Sequence, residues 1–172
     1  MILGKKATVT ASPEMRAFGR SAYGTGRVSR QRVSIALVVD ASPDRAFSAE
    51  DLAALVRLDD PGIGLATVYR ALAAMESSGF IEPVGERNGA VVYARCVDAG
   101  HHHHVVCTCC GMVEDAECPV GGTSAGANGF RITGHRLVLY GICPSCQRAA
   151  PEPGDEPGRG RFRVRPASRR AG

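Results

Sequence analysis

The feature that most constrains this chain is the placement of its cysteines: all seven fall in one stretch, from Cys96 to Cys146. Within it, Cys107-Thr108-Cys109-Cys110 and Cys143-Pro144-Ser145-Cys146 are two CxxC turns about thirty residues apart. A CxxC turn is a tight knuckle that aims two thiolates at one point. Two knuckles complete the four-thiolate tetrahedral shell of a closed structural zinc. Such a site is worth on the order of 10 kcal/mol to a small domain, so the metal belongs to the fold. Cys109 leaves the first ligand pair open between Cys107 with Cys109 and Cys107 with Cys110. The spacing of the second knuckle favours Cys110 and makes Cys109 a bystander.

Disulfides are the other use of clustered cysteines. The start, MILGKKATVTASPEMR, lacks the apolar core of a secretory signal, so the expected compartment is the reducing cytoplasm, where cysteine serves metals or redox work. No apolar run approaches the roughly 18 residues of a membrane span, and no membrane partner is expected.

A run of four histidines, His101 to His104, precedes Val105-Val106 and the first knuckle. On a strand, alternation sends His101 and His103 to one side and His102 and His104 to the other. One run can therefore feed two separate metal sites. An affinity tag is usually terminal and six residues long, whereas this run is internal.

Upstream, Arg30 to Val39 places Val33, Ala36 and Leu37 at helical spacing, and Ser42-Pro43-Asp44 ends the segment. Ser48 and Asp51 have the spacing of a capping box opening a helix through Leu52, Leu55 and Val56, which Pro61-Gly62 stops. LATVYRALAAMESSG then sets Leu65, Val68, Leu72 and Met75 on one face, with Gly79 as C-terminal cap. FIEPVGE, the turn Asn88-Gly89 and AVVYARC read as a hairpin. Helix, helix, helix, hairpin is a winged helix, whose last helix can enter a major groove. Thr67, Tyr69 and Arg70 would project outward from it; the alternative for Tyr69 is a half-buried aromatic. The fold class is thus α+β: a winged-helix DNA-binding domain at 27–95, then a small α/β metal-binding domain at 96–146 with its four-cysteine zinc, the half to which the resemblance given below assigns dimerisation.

The ends differ in character. Residues 1–26 lack a sustained apolar period and read as a flexible arm with a short helix around Met15, and 147–172, rich in Arg, Pro and Gly, reads as a disordered tail. The tail is either a solvated charged segment or an extra DNA contact. The formal charge of +4 sits at these ends: residues 1–26 carry four basic groups and one acidic, 27–95 eight and nine, 96–146 two and four, 147–172 seven and three. DNA affinity must therefore come from locally placed arginines and the arms.

GIGLATVYRAL, SAEDL, HHHHVVCTCCG and HRLVLYGICPSC together resemble the ferric uptake regulator family over residues 27–146. The resemblance implies a homodimeric, cytoplasmic repressor of metal-uptake genes that binds an AT-rich inverted-repeat operator on double-stranded DNA when its sensing metal is present. It also implies a regulatory site at the domain junction made of Glu82, Cys96, His102 and His104. One thiolate, two imidazoles and a carboxylate suit Zn2+. Iron and peroxide sensors usually carry a carboxylate at the Cys96 position and a histidine before the SAEDL motif; here that region reads Arg45-Ala46-Phe47. The chain therefore resembles the zinc-uptake branch. Asp115 matches a ligand of some iron and peroxide sensors and keeps Fe2+ or Mn2+ open. A third family site would join His101 and His103 to His135 and to a helix glutamate. Here the helix is replaced by CPVGGTSAGANGF, a poor helix former, and the glutamate position falls on Cys118 or on Gly122 depending on the direction of counting.

A site drawing Glu82 from one half and His102 and His104 from the other would bind one domain orientation better than others. A preference of about 5.5 kcal/mol moves a population from 1:99 to 99:1. In this picture Arg27, Arg30 and Arg32 anchor phosphates, Tyr69 meets thymine methyls and Arg70 a phosphate or base edge. An enzyme is not expected, because no HExxH helix or carboxylate base beside an open zinc is present. A zinc store built on the His and Cys cluster would need no winged helix.

Overall fold

The structure is a computed structural model that describes residues 13–25, 28–97, 101–118 and 134–149. Arg27, Gly122 and the tail beyond Ala149 lie outside the described residues.

The expected trio of helices forms α2 (Arg30–Asp40), α3 (Ala49–Asp59) and α4 (Leu65–Ser77). Ser29 caps α2 by accepting from the Arg32 N–H. The capping box at α3 forms as its spacing predicts: Ser48 Oγ accepts from Asp51 N–H at 3.1 Å and Asp51 accepts from Ser48 N–H at 2.8 Å. Val68, Leu72 and Met75 of α4 are buried, and Gly79 follows it with φ of 75°. Two leucines assigned to apolar faces are in fact exposed, Leu37 at 48% and Leu55 at 47%. Ile35 and Ala53 take the core side instead, because each helix packs on neighbours over only a narrow stripe.

The hairpin is β2 (Ile81–Arg87) and β3 (Ala90–Arg95), paired from Ile81 opposite Arg95 to Arg87 opposite Ala90 with a register shift between Pro83 and Gly85. Its turn takes Asn88 at φ 53° and Gly89 at φ 80°, the two left-handed positions of a type I′ connection. A two-residue strand, β1 (Phe47–Ser48), pairs with β3 and gives the order β1-β3-β2. The winged helix is thereby complete.

The N-terminal segment contains the expected short helix around Met15, and the helix packs on the winged helix where a flexible arm was expected. Pro13–Tyr23 is a helix, α1, whose Ala22 and Tyr23 are buried in the core of the winged helix. Tyr23 Oη donates to the Arg32 carbonyl at 2.7 Å, and Phe18 meets Phe80 edge-on at 6.0 Å. Phe18 sits about one helical turn from Ala22 and Tyr23, and the three dock this helix on the core.

In the second half, β4 (His103–Cys107) is the central strand, with β5 (Val113–Ala116) antiparallel and β6 (Val138–Gly141) parallel beside it. α5 (Pro144–Ala149) extends three residues past the expected boundary at Cys146. The two halves share a small core in which Ala46, Val84, Val92 and Ala94 pack with Val106 and Val113. Backbone and side-chain bonds reinforce it: Ala46 N–H to Gly111 O at 2.9 Å, Val113 N–H to Asp44 O at 2.8 Å, and Tyr140 Oη to Val84 O at 2.7 Å. No helix among the described residues is long and apolar enough to cross a membrane.

Candidate metal centres and nucleic-acid face

Cys107 closes β4, Cys110 follows in the turn to β5, and Cys143 and Cys146 flank the start of α5. The four sulfurs lie within 4.8 Å of one another, with Cys110 Sγ 3.7 Å from Cys143 Sγ. Gly111 makes the first knuckle, at φ 76°, where a side chain would be strained; its N–H bonds to the Cys107 carbonyl at 2.9 Å. Cys143 N–H points at Cys107 Sγ at 3.3 Å and Cys146 N–H at Cys143 Sγ at 3.4 Å. Burial opposes ionisation of Cys107, but backbone donors from Cys143, Cys110 and Cys109 outweigh it and lower its pKa to about 6. These amides are placed to stabilise thiolates, which is the ligand form zinc requires. Cys109 is exposed and outside the converging four, although its thiol is in hydrogen-bonding contact with Cys146.

At the junction, Cys96, His102 and His104 bring one sulfur and two ring nitrogens within 4.8 Å of one another. Cys96 Sγ is 3.8 Å from His104 Nε2. Cys96 follows β3 and is held by its N–H to the Phe80 carbonyl at 3.1 Å, while Arg95 bonds to its carbonyl and to Asp40. Burial, with Glu82 adding its charge, pushes the Cys96 thiol up to about 12. Burial and the neighbouring His102 lower the pKa of His104 and keep it neutral. Glu82 does not join the converging atoms: Arg136 holds its carboxylate at 3.5 Å. Sequence reading missed this pair because the two residues are far apart in the chain and nothing local marks Arg136. Asp115, opposite His104 across β4 and β5, puts its Oδ1 3.2 Å from His104 Nδ1, the nitrogen turned away from Cys96.

A third cluster joins His101, His103, Cys118 and His135 within 4.8 Å. Of the two positions counted for its fourth member, Cys118 lies with the histidines, and Gly122 is outside the described residues.

On the surface of α4 expected to face DNA, Tyr69 is 48% exposed and its hydroxyl donates to Glu50 at 2.9 Å. It is about half exposed, which fits both the outward-projecting reading and the half-buried aromatic. Arg70 is exposed and donates to Thr67 Oγ1 at 3.2 Å. Arg30 is exposed, whereas the Arg32 guanidinium sits over the Tyr23 ring at 5.2 Å. Glu50 is the member of this surface that sequence reading missed; it lies in the first turn of α3, nineteen positions from Tyr69.

The model of the ferric uptake regulator family matches residues 24–140. The chain is 33% identical over 126 residues to a ferric uptake regulation protein of Neisseria meningitidis serogroup A, covering 70% of this chain and 86% of that protein. Among solved structures it resembles the ferric uptake regulator of Francisella tularensis with iron, at TM-score 0.57 and 26% identity over 72% of this chain and 96% of that one. It also resembles a zinc-bound manganese uptake regulator, at TM-score 0.53 and 28% identity over 75% and 98%.

Proposed function

The chain belongs to the ferric uptake regulator family of metal-responsive transcriptional regulators, and on that premise we propose that it is a zinc-responsive dimeric repressor of metal-uptake genes. The observation that carries the zinc reading is the Cys96 thiol converging with His102 and His104 at the junction of the two halves. A sulfur among imidazoles favours zinc over ferrous or manganous ions, which prefer oxygen. Cys107, Cys110, Cys143 and Cys146 would hold a second, structural zinc. In this reading Glu82 completes the regulatory set when its carboxylate leaves Arg136, and Asp115 orients the His104 ring from behind. α4 enters the major groove of an AT-rich inverted repeat, with Tyr69 and Arg70 at base edges or phosphates and Arg30 and Arg32 on the backbone. A ligand that joins both halves would favour one placement of α4 relative to the second half.

The test is operator binding by fluorescence anisotropy across buffered free Zn2+, Fe2+ and Mn2+, with bound metal counted in parallel. A rise in affinity with zinc at the lowest free concentration is expected; a response to ferrous iron with none to zinc would overturn the reading. The oxygen of Asp115 beside His104 is the observation that favours the iron or manganese alternative.

Two results follow. Tyr69→Ala and Arg70→Ala should each weaken specific DNA binding by about 1–3 kcal/mol while leaving metal content and melting temperature unchanged. A matching loss of stability would return Tyr69 to a packing role. Zinc uptake at the regulatory site should also depend on pH. The Cys96 thiol is protonated near neutrality, so binding displaces one proton, whereas neutral His104 releases none. Affinity should therefore rise about tenfold per pH unit above neutrality. Competition with a chromophoric chelator measures it, and a flat profile would remove the thiol from the ligand set.

A further inference from the structure

We propose that Glu50 is a positioning residue for DNA recognition, whose carboxylate fixes the Tyr69 ring in the orientation that meets a thymine methyl. This role rests on α4 being the helix that enters the major groove. Tyr69 Oη donates to Glu50 Oε1 at 2.9 Å, across nineteen positions of chain and from one helix to another. Arg70, the next residue, is tied only within its own helix by the bond it donates to Thr67.

Both ends of the Tyr69–Glu50 bond are anchored. Tyr69 follows the buried Val68 in the first half of α4, which Val68, Leu72 and Met75 hold on the core. Glu50 lies in the first turn of α3, whose start is locked by the Ser48–Asp51 capping box and by Arg87 bonding to Asp51. A tyrosine on a helix has two open χ1 wells, and a half-exposed ring without a partner samples both. A bond to a second, fixed helix selects one of them before DNA arrives, which lowers the ordering cost of binding. The bond also decides what the side chain offers. The hydrogen bond to Glu50, with desolvation and the charge of the carboxylate, raises the Tyr69 pKa, so the hydroxyl keeps its proton and directs it at Glu50. A phenol has one proton to donate. What Tyr69 presents to the groove is then its apolar ring edge, and the apolar feature of a major groove is the thymine methyl.

Glu50 has a plainer role as well, because an acidic residue in a first turn complements the helix dipole of α3. Losing that role would lower stability and weaken binding to every duplex alike, whereas positioning acts through the methyl. The experiment uses the full chain loaded with Zn2+, and in a parallel arm with Mn2+, to select its own site from a random-sequence duplex library. The selected duplex is compared with a copy in which deoxyuridine replaces thymidine in each half-site, which removes only methyl groups. The parent should lose about fourfold in affinity for each contacted methyl. Glu50→Ala should bind the thymidine duplex more weakly and lose less than about twofold on the replacement, with the parent's melting temperature and metal content. Glu50→Gln keeps an acceptor for the hydroxyl and should restore the methyl response. Tyr69→Phe should match Glu50→Ala, and combining the two should weaken binding no further, because both remove the same bond. An undiminished methyl response in Glu50→Ala, or a parent that binds both duplexes equally, would overturn the positioning role alone. A library that yields no enriched sequence with either metal would overturn the DNA-binding reading and the role of Glu50 with it.

Discussion

Cys143→Ser is expected to leave a chain that binds no structural zinc and whose second half does not fold or dimerise. Cys143 is buried, its sulfur sits 3.7 Å from Cys110 Sγ and accepts from Cys146 N–H, and its own N–H points at Cys107 Sγ. The residue thus belongs to both knuckles. Through it, the end of β6 and the start of α5 are tied to the end of β4. A structural zinc contributes on the order of 10 kcal/mol, comparable to the whole of a domain's net stability of about 5–15 kcal/mol. Three remaining thiolates and a serine hydroxyl cannot hold it with that strength. The apolar residues left, Val106, Val113 and their few neighbours, make too small a core to compensate. Zinc content, urea unfolding and light scattering would report the loss together. Cys110→Ser should behave alike, while Cys109→Ser, at an exposed thiol, should retain zinc and dimerise. A folded, dimeric Cys143→Ser protein would remove the structural role from this cluster.

The second large effect is expected at the junction. Cys96→Ser or His102→Ala should keep the four-cysteine zinc, fold and dimerise, yet lose the gain in operator affinity on adding zinc. Among the described residues, the Cys96 cluster is the metal-ligating group that joins the end of the winged-helix hairpin to the strand that leads to the knuckles. If zinc supplies a population shift of the usual switching size, about 5.5 kcal/mol, its loss reduces zinc-dependent affinity by orders of magnitude. Cys96→Asp should move the preference toward Fe2+ or Mn2+ without abolishing the site, because an oxygen replaces the sulfur. Anisotropy across buffered free metal separates these outcomes. A Cys96→Ser protein that responds to zinc like its parent would detach sensing from this cluster.

Local chemistry made much of the fold readable. The Ser48–Asp51 box, the Asn88-Gly89 turn and the CxxC knuckles each need only residues a few positions apart, so their spacing is their signature. The split of the histidine run followed from strand alternation alone. What escaped depends on distance in the chain. α1 docks through Phe18, Ala22 and Tyr23, whose partners Phe80 and Arg32 lie in other elements. Arg136 reaches Glu82, and Glu50 reaches Tyr69, only because strands and helices bring them together. Spacing suggested Cys118 and Gly122 equally, and folding around His135 brings Cys118 to the histidines.

The central strand β4 acts as a partition between two compartments of coordination chemistry. His101 and His103 supply one, His102 and His104 the other, and each peptide unit in the run has a histidine of a different compartment on either side. Sequence drift at this wall is therefore constrained in an unusual way. A one-residue insertion or deletion between Cys96 and the run leaves the same two imidazoles facing each compartment, because the pairing of β4 with β5 and β6 fixes the register of His103 and His104. What changes is the length of the tether from Cys96 to His102 and His104. Loop length, not histidine count, is the quantity that this arrangement leaves exposed to selection.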